Sequence, residues 1–273
     1  MNRPVCIVTG ANTGIGEVTA KELANRGYSV ILACRNEEKT EPVRKAIVSA
    51  HGENTARFVH LDLGDLSSIR KAAKHILALG LPIPLLVNNA GLVKRGQTKE
   101  NFEICFGVNH LGPYLLTRLL LPNLLAQEKS RVVCVASRAH YRAKRIDFAD
   151  AKKPTKTIIG MREYSVSKLA NVLFASELAR RYGGQGLTAC SLHPGVIASE
   201  IWRRVPNPFR YLMTRTMISV EEGAQTSLHC ATAELGENGL YYDKCKPVKP
   251  SKLARDPELA KLLWDKSAEF VGL

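Results

Sequence analysis

The chain has no apolar run of the ~18 residues that a membrane-spanning helix needs. Its most apolar stretch, Ile76 to Val87, is interrupted by Gly80, Pro82 and Pro84. No Cys-x-x-Cys occurs among the seven cysteines, which leaves a zinc site without support. Seven is an odd number, and Cys6, Cys34, Cys134 and Cys190 lie in strand-like runs. They read as small buried hydrophobes of a reducing compartment, not as a disulfide framework. A signal peptide of the usual form is not expected, because the first strand and a Gly-rich turn begin within the first ten residues. There is no Pro/Ser-rich linker, repeat or low-complexity tract, so one continuous domain over residues 1–273 is the simplest organisation. Carboxylates are scarce beside cations, 25 against 39, giving a net charge of +14. That excess suggests a polyanionic partner, an anionic membrane surface or an acidic ligand, without choosing among them. No zinc finger or aromatic-interleaved basic motif supports nucleic acid. The 45% hydrophobic and 23% charged shares are those of a soluble globular protein.

What is present starts at once. Val5-Cys6-Ile7-Val8 reads as a buried strand, and Thr9-Gly10-Ala11-Asn12-Thr13-Gly14-Ile15-Gly16 follows it. A helical pattern then begins, with Val18, Leu23 and Ala24 apolar and Lys21, Glu22 and Arg26 polar. Strand, Gly-rich turn and helix N-terminus together suit a pyrophosphate: glycines allow close backbone approach, and the helix end offers N–H groups and a positive dipole. The spacing is Gly-x-x-x-Gly-x-Gly, not Gly-x-Gly-x-x-Gly. Taken alone, such a turn is also compatible with a purely structural role. The second strand, Ser29 to Ala33, ends in Cys34-Arg35, with no acidic residue before Glu37 to accept bonds from ribose hydroxyls. A cation at Arg35 favours a 2′-phosphate, hence NADP(H), although a solvated Arg at a strand end would look the same.

Further strands are predicted at Arg57–Leu61, Leu85–Val87, Val132–Val135, Leu187–Leu192 and Gly239–Tyr242. Helices are predicted over Asp65–Leu79, about Phe102–Ala126, from Tyr164 to about Arg181, and over Glu221–Ala233. This alternation predicts a doubly wound α/β fold, a parallel sheet of about seven strands with helices on both faces. Ligands bind beyond the carboxyl ends of such strands, where Gly10, Asn88, Ser137 and Pro194 all fall.

Tyr164 and Lys168 stand one helical turn apart on one face. A phenol has an ordinary pKa of ~10, and a nearby ammonium stabilises the phenolate and lowers that value. The pair is therefore a plausible general acid/base for an oxygen, though an ordinary surface helix presents the same pattern.

Thr9 to Gly16, Asn88 to Gly91, Ser137, Tyr164 with Lys168, and Pro194-Gly195 resemble, in order, the motif set of the short-chain dehydrogenase/reductase superfamily. Ala33-Cys34-Arg35, Val108 to Gly112, Ser167 to Leu173 and Glu222 to Leu228 resemble its retinol dehydrogenase-like, NADP(H)-dependent branch. The resemblance covers essentially the whole chain and implies a single-domain Rossmann-type fold. It implies Tyr164 as acid/base, Lys168 as its activator and ribose contact, Ser137 as a donor to the substrate oxygen, and Asn109 as the anchor of a relay water. It implies cofactor contacts from Gly10, Asn12, Thr13, Gly14, Ile15 and Gly16, and from Arg35 at the second strand. Asp62 and Leu63 would meet the adenine, and Asn89, Ala90 and Gly91 the adenosine ribose. Pro194, Gly195, Ile197 and Ser199 would border the nicotinamide. Read as isolated residues, Asp62 is equally a helix-entry cap, Ser137 a satisfied strand-end serine and Asn109 an ordinary helix residue. His140 and His193 are tempting bases, but Tyr164 already fills that role. The chain departs from the family's usual pattern at Glu17, where Lys is frequent, and at Pro113 inside a predicted helix, and the N-terminal membrane segment frequent in that branch is not expected here.

The resulting expectation is an NADP(H)-dependent oxidoreductase interconverting a lipophilic carbonyl, retinoid- or steroid-like, and its alcohol. The competing reading is a Rossmann-type NADP(H)-binding sensor without turnover. The segment at about 196–219 would cover the substrate. Its Trp202, Phe209 and Tyr211, interleaved with Arg203, Arg204 and Arg210, also suit contact with a membrane surface. A cytoplasmic protein, or one peripheral on an intracellular membrane, follows. The 26 residues between Ser137 and Tyr164 exceed the usual length in the superfamily. The extra segment, roughly Arg142 to Gly160, would cover the Tyr164 helix and favour a monomer over a homodimer.

Overall fold

The computed structural model describes residues 3–195 and 218–273. Among the described residues the sheet has eight strands in the order β3-β2-β1-β4-β5-β6-β7-β8. They are β1 (Val5–Thr9), β2 (Ser29–Cys34), β3 (Ala56–His60), β4 (Leu85–Asn88), β5 (Ser130–Val135), β6 (Leu187–His193), β7 (Tyr241–Asp243) and β8 (Lys246–Pro247). All neighbours are parallel except β7 and β8. The chain order reverses between β1 and β4, so the crevice of a doubly wound sheet opens above Thr9 and Asn88.

Strands buried on both faces feed two cores. On one face Ile7, Ile31, Leu86 and Val132 pack beneath α3 (Leu66–Ala78), α5 (Gly112–Leu125) and α6 (Met161–Tyr182). On the other, Val8, Leu32, Val87 and Val133 meet α1 (Gly14–Asn25), α2 (Glu37–His51) and α7 (Val220–Thr232). A last helix, α8 (Pro257–Val271), lies over α5 and α6. Its Trp264 ring receives the Arg118 guanidinium at 4.7 Å and that of Arg181 at 4.6 Å, and its carbonyl accepts the Tyr114 hydroxyl at 3.0 Å.

The structure differs from the sequence expectation in several places, and its helices α2 and α8 were not predicted. The sheet has an eighth strand, and β7 begins two residues later than the predicted Gly239; a two-residue antiparallel strand carries no readable period. The predicted helix over Phe102–Ala126 is three pieces: α4 (Ile104–Phe106), a π-turn (Gly107–Leu111) and α5. Pro113 causes the break, because it has no N–H for an α-bond to the Asn109 carbonyl. It sits instead in the first turn of α5, where a missing N–H costs nothing. Gly112 presses on Leu63, and a Cβ there would lie 2.7 Å from the Leu63 carbonyl oxygen. The expected covering segment at 196–219, with its arginines and aromatics, lies almost wholly outside the described residues.

Candidate active site

The Gly-rich turn is shaped by backbone that other residues fill poorly. Gly10 and Gly14 have φ of +64° and +58°, in the left-handed region. Gly16 meets a different constraint: a Cβ there would stand 2.2 Å from the Gly10 carbonyl oxygen and 2.4 Å from Asn89 Nδ2. Thr13 is the N-cap of α1 in extended conformation and gives no side-chain bond, so the α1 N-terminus is left uncapped beside Asn12, Gly14 and Ile15. A half-buried clamp holds the turn to the end of β4. Thr9 Oγ1 accepts the N–H groups of Asn89 and Ala90, both at 3.0 Å, and Asn89 Nδ2 donates to the Thr9 carbonyl at 2.8 Å. Cys34 Sγ accepts the Ala11 N–H at 3.1 Å. An uncapped helix end in a cradle that has no room for a Cβ at Gly16 fits a dinucleotide pyrophosphate.

At the ends of β2 and β3, Arg35 is exposed and 3.9 Å from Asp62. Asp62 Oδ1 accepts the Gly64 N–H at 2.8 Å, shaping the turn at Leu63, while the N-cap of α3 is Asp65. Asp62 is therefore not the helix cap. Glu17, the departure in the first turn of α1, pairs with Lys21 at 2.6 Å.

Across the switch point, Ser137 follows β5 and caps a 3₁₀ turn at Arg138–Arg142. Tyr164 and Lys168 come from the first two turns of α6. Lys168 is buried, its Nζ donating to the Val135 carbonyl at 2.7 Å and lying 5.6 Å from the centre of the Tyr164 ring. Gly91 closes over it: a Cβ at 91 would stand 3.2 Å from Lys168 Nζ and 3.4 Å from Asn109 Oδ1. Asn109, in the π-turn, spends its whole amide on neighbours. Oδ1 accepts the Leu92 N–H at 2.8 Å, and Nδ2 donates to the Leu92 carbonyl at 2.9 Å and to Ser167 Oγ at 3.0 Å. Ser167 in turn donates to the Tyr164 carbonyl at 2.8 Å. Asn109 thus ties the strand-end loop to the turn of α6 that carries Tyr164.

Burial sets the charges. It pushes Lys168 down to about 8 and pushes the Tyr164 phenol up, with the Ser137 hydroxyl pulling the phenol the other way. The sequence expectation of a phenol lowered by its ammonium neighbour is not met: desolvation dominates, and the ammonium is anchored on Val135. Both histidines singled out in the sequence are held neutral by burial, His193 down to about 4. His140 Nδ1 bonds the Ser137 carbonyl at 2.7 Å, and its Nε2 accepts the Ser251 N–H at 3.2 Å, so the ring fixes the turn that holds Ser137. Pro194 and Gly195, the latter at φ +101°, follow β6. Ile197 and Ser199 lie outside the described residues. The clamp role of Thr9 was readable only from its place at the head of the Gly-rich run; the Val135 carbonyl has no sequence signal at all.

The sequence pattern of the short chain dehydrogenase family matches residues 4–208. Retinol dehydrogenase 11 of Homo sapiens is 44% identical over 277 residues, covering 98% of this chain and 86% of that protein. Dehydrogenase/reductase SDR family member 13 of Bos taurus is 42% identical, covering 98% and 73%. Among solved structures, an uncharacterized protein of Mycobacterium paratuberculosis superposes with a TM-score of 0.80 at 35% identity, covering 99% of this chain and 94% of that one. With the glycine cradle and the paired Tyr164 and Lys168 in one crevice, the chain belongs to the short-chain dehydrogenase/reductase family of oxidoreductases, similar to its retinol dehydrogenases.

Proposed function

We propose that the protein is an NADP(H)-dependent oxidoreductase that interconverts a lipophilic carbonyl and its alcohol, with Tyr164 as the proton donor and acceptor. One observation carries this reading: a single crevice gathers Ser137, Tyr164 and a buried Lys168 beside the cradle of Gly10, Gly14, Gly16 and Gly91. A sensor without turnover has no need of a proton donor there. The residues fit the cofactor as described above, and NADP(H), when bound, supplies or accepts the hydride. The chain's own groups do the rest. The hydroxyls of Ser137 and Tyr164 bond the carbonyl oxygen, and these bonds strengthen as negative charge grows on it. Tyr164 Oη then gives its proton to that oxygen, and the Lys168 ammonium stabilises the phenolate left behind. A neutral phenol at physiological pH is the form that reduction requires, and burial keeps Tyr164 in that form.

Arg35, exposed at the end of β2, supports the 2′-phosphate preference, since no carboxylate of its own loop competes for the ribose. A monomer is supported by α8, whose Trp264 covers the outer faces of α5 and α6 and whose Ser267 meets His110 of the π-turn. No helix among the described residues is long and apolar enough to cross a membrane. The test is oxidation of NADPH and NADH with retinoid, steroid and long-chain aldehyde substrates. Turnover with NADPH preferred supports the reading; cofactor binding without turnover on any carbonyl favours the sensor.

A further inference from the structure

Ile158 and Ile159 are 86% and 66% exposed, the two most exposed large apolar side chains among the described residues. They form the tip of the loop that enters α6, a few residues before Tyr164. The loop is built to hold them outward. The Glu163 carboxylate accepts the N–H groups of Lys156 at 3.2 Å and Thr157 at 3.1 Å, and the Thr157 hydroxyl. Gly160 turns the chain with φ +72°, and its carbonyl accepts the Tyr164 N–H at 2.8 Å. Thr155 is bonded through Oγ1 to the Gly96 N–H at 3.1 Å.

The segment that carries this tip is rich in cations. Between residues 142 and 162 there are seven Lys and Arg against two Asp. One of those carboxylates, Asp150, is already shared by Lys153 at 3.2 Å and Lys156 at 2.7 Å. A second loop joins the patch, because the Lys94 carbonyl lies against Gly160, where a Cβ would be 2.9 Å away. Lys94 and Arg95 are both exposed there. That second loop continues directly from Gly91, which covers Lys168.

An exposed apolar tip with cations in its own segment and in the loop packed against it is matched by a surface that is anionic outside and apolar within. A second copy of this chain would bring the same positive patch against itself, and a neutral apolar partner would leave the cations uncompensated. We propose that the Ile158–Ile159 tip and its cationic surround dock the enzyme on a lipid bilayer bearing anionic headgroups. Docking there brings the catalytic crevice to the source of a lipophilic substrate, a consequence that rests on the reading above; the docking itself does not.

Co-sedimentation of the full chain with phosphatidylcholine vesicles, with and without phosphatidylserine, at low and high salt, tests this independently of turnover. The expected result is binding to the anionic vesicles that weakens with salt and falls at least about tenfold in Ile158→Asp/Ile159→Asp. Lys94→Glu/Arg95→Glu, on the other loop, should weaken it as well. Unchanged thermal melting of both variants shows that the fold is retained. Absence of binding at low salt, equal binding to neutral vesicles, or binding unaffected by the tip variant overturns the proposal. So does a dimer in velocity sedimentation that the tip variant dissolves.

Discussion

Replacing Gly16 by Ala adds one methyl group where the cradle has no room. A Cβ at this position would stand 2.2 Å from the Gly10 carbonyl oxygen and 2.4 Å from Asn89 Nδ2. Neither neighbour can give freely. The Gly10 oxygen belongs to a turn fixed by the Gly10 N–H bond to the Ala33 carbonyl at 3.0 Å, and Asn89 Nδ2 is bonded to Thr9. An ordinary carbon–oxygen contact requires the α1 N-terminus to retreat by about 1 Å, an overpacking strain of about 1–3 kcal/mol. Loss of the Asn89 bond adds about 1 kcal/mol. The sum, about 2–4 kcal/mol, falls partly on folding and partly on any ligand that needs the retreating N–H groups. The variant should melt several degrees lower and bind NADPH at least about tenfold more weakly, since ~1.4 kcal/mol is a factor of ten. Gly14→Ala is the control. It meets nothing within 4 Å, and its cost is only the left-handed φ of +58°, about 1 kcal/mol. Thermal melting with an NADPH fluorescence titration reads both effects. If Gly16→Ala binds NADPH as wild type does, or is no worse than Gly14→Ala, the cradle is not where the pyrophosphate lies.

Lys168, pushed down to about 8 by burial, should limit carbonyl reduction on the alkaline side. kcat/KM should fall as pH rises through about 8, and a pH–rate profile flat to pH 10 would contradict this. Arg35→Asp should replace attraction by repulsion at a 2′-phosphate and move preference toward NADH; wild-type protein that already prefers NADH would refute the assignment. His110, buried against Ser267 of α8 and pushed down to about 3, binds a proton more readily when the chain is unfolded. Its contribution is therefore complete above about pH 6.5 and lost as pH falls toward 3. At pH 4.5 the loss is about 3 kcal/mol, from the ordinary value of ~6.5. Acid titration of His110→Gln should show a shallower decline than wild type over this window, and identical curves would exclude the histidine.

The alternation of apolar strands and amphipathic helices made the doubly wound fold readable, because a strand buried on both faces leaves an unbroken apolar run, as in Val5 to Val8. The crevice residues were readable for a second reason: in a parallel sheet they must fall at strand ends, so Gly10, Asn88 and Ser137 converge whatever the loops do. What escaped depends on long-range contact. The π-turn at Asn109 lies inside a continuous helical pattern, and Pro113 marked an anomaly without saying how the helix would absorb it. Helix α8 went unread although Asp256-Pro257 is a helix start, its carboxylate accepting the N–H groups of Glu258 and Leu259. Its importance lies in Trp264 meeting Arg118 and Arg181, residues distant in sequence. The Tyr164 phenol illustrates the limit of local reasoning: spacing puts an ammonium on the same helix face, but only the fold shows that Val135 holds it and that burial governs the phenol.

Tyr164 is the group proposed to move the proton. Tyr164→Phe removes that proton and little else, so single-turnover reduction of a lipophilic aldehyde, measured beside NADPH affinity in the same preparation, tests it most directly. Cofactor affinity should stay within about twofold of wild type, while the rate of reduction falls by several orders of magnitude. A variant that retains its rate within about tenfold, ~1.4 kcal/mol of barrier, would rule out Tyr164 as the proton donor.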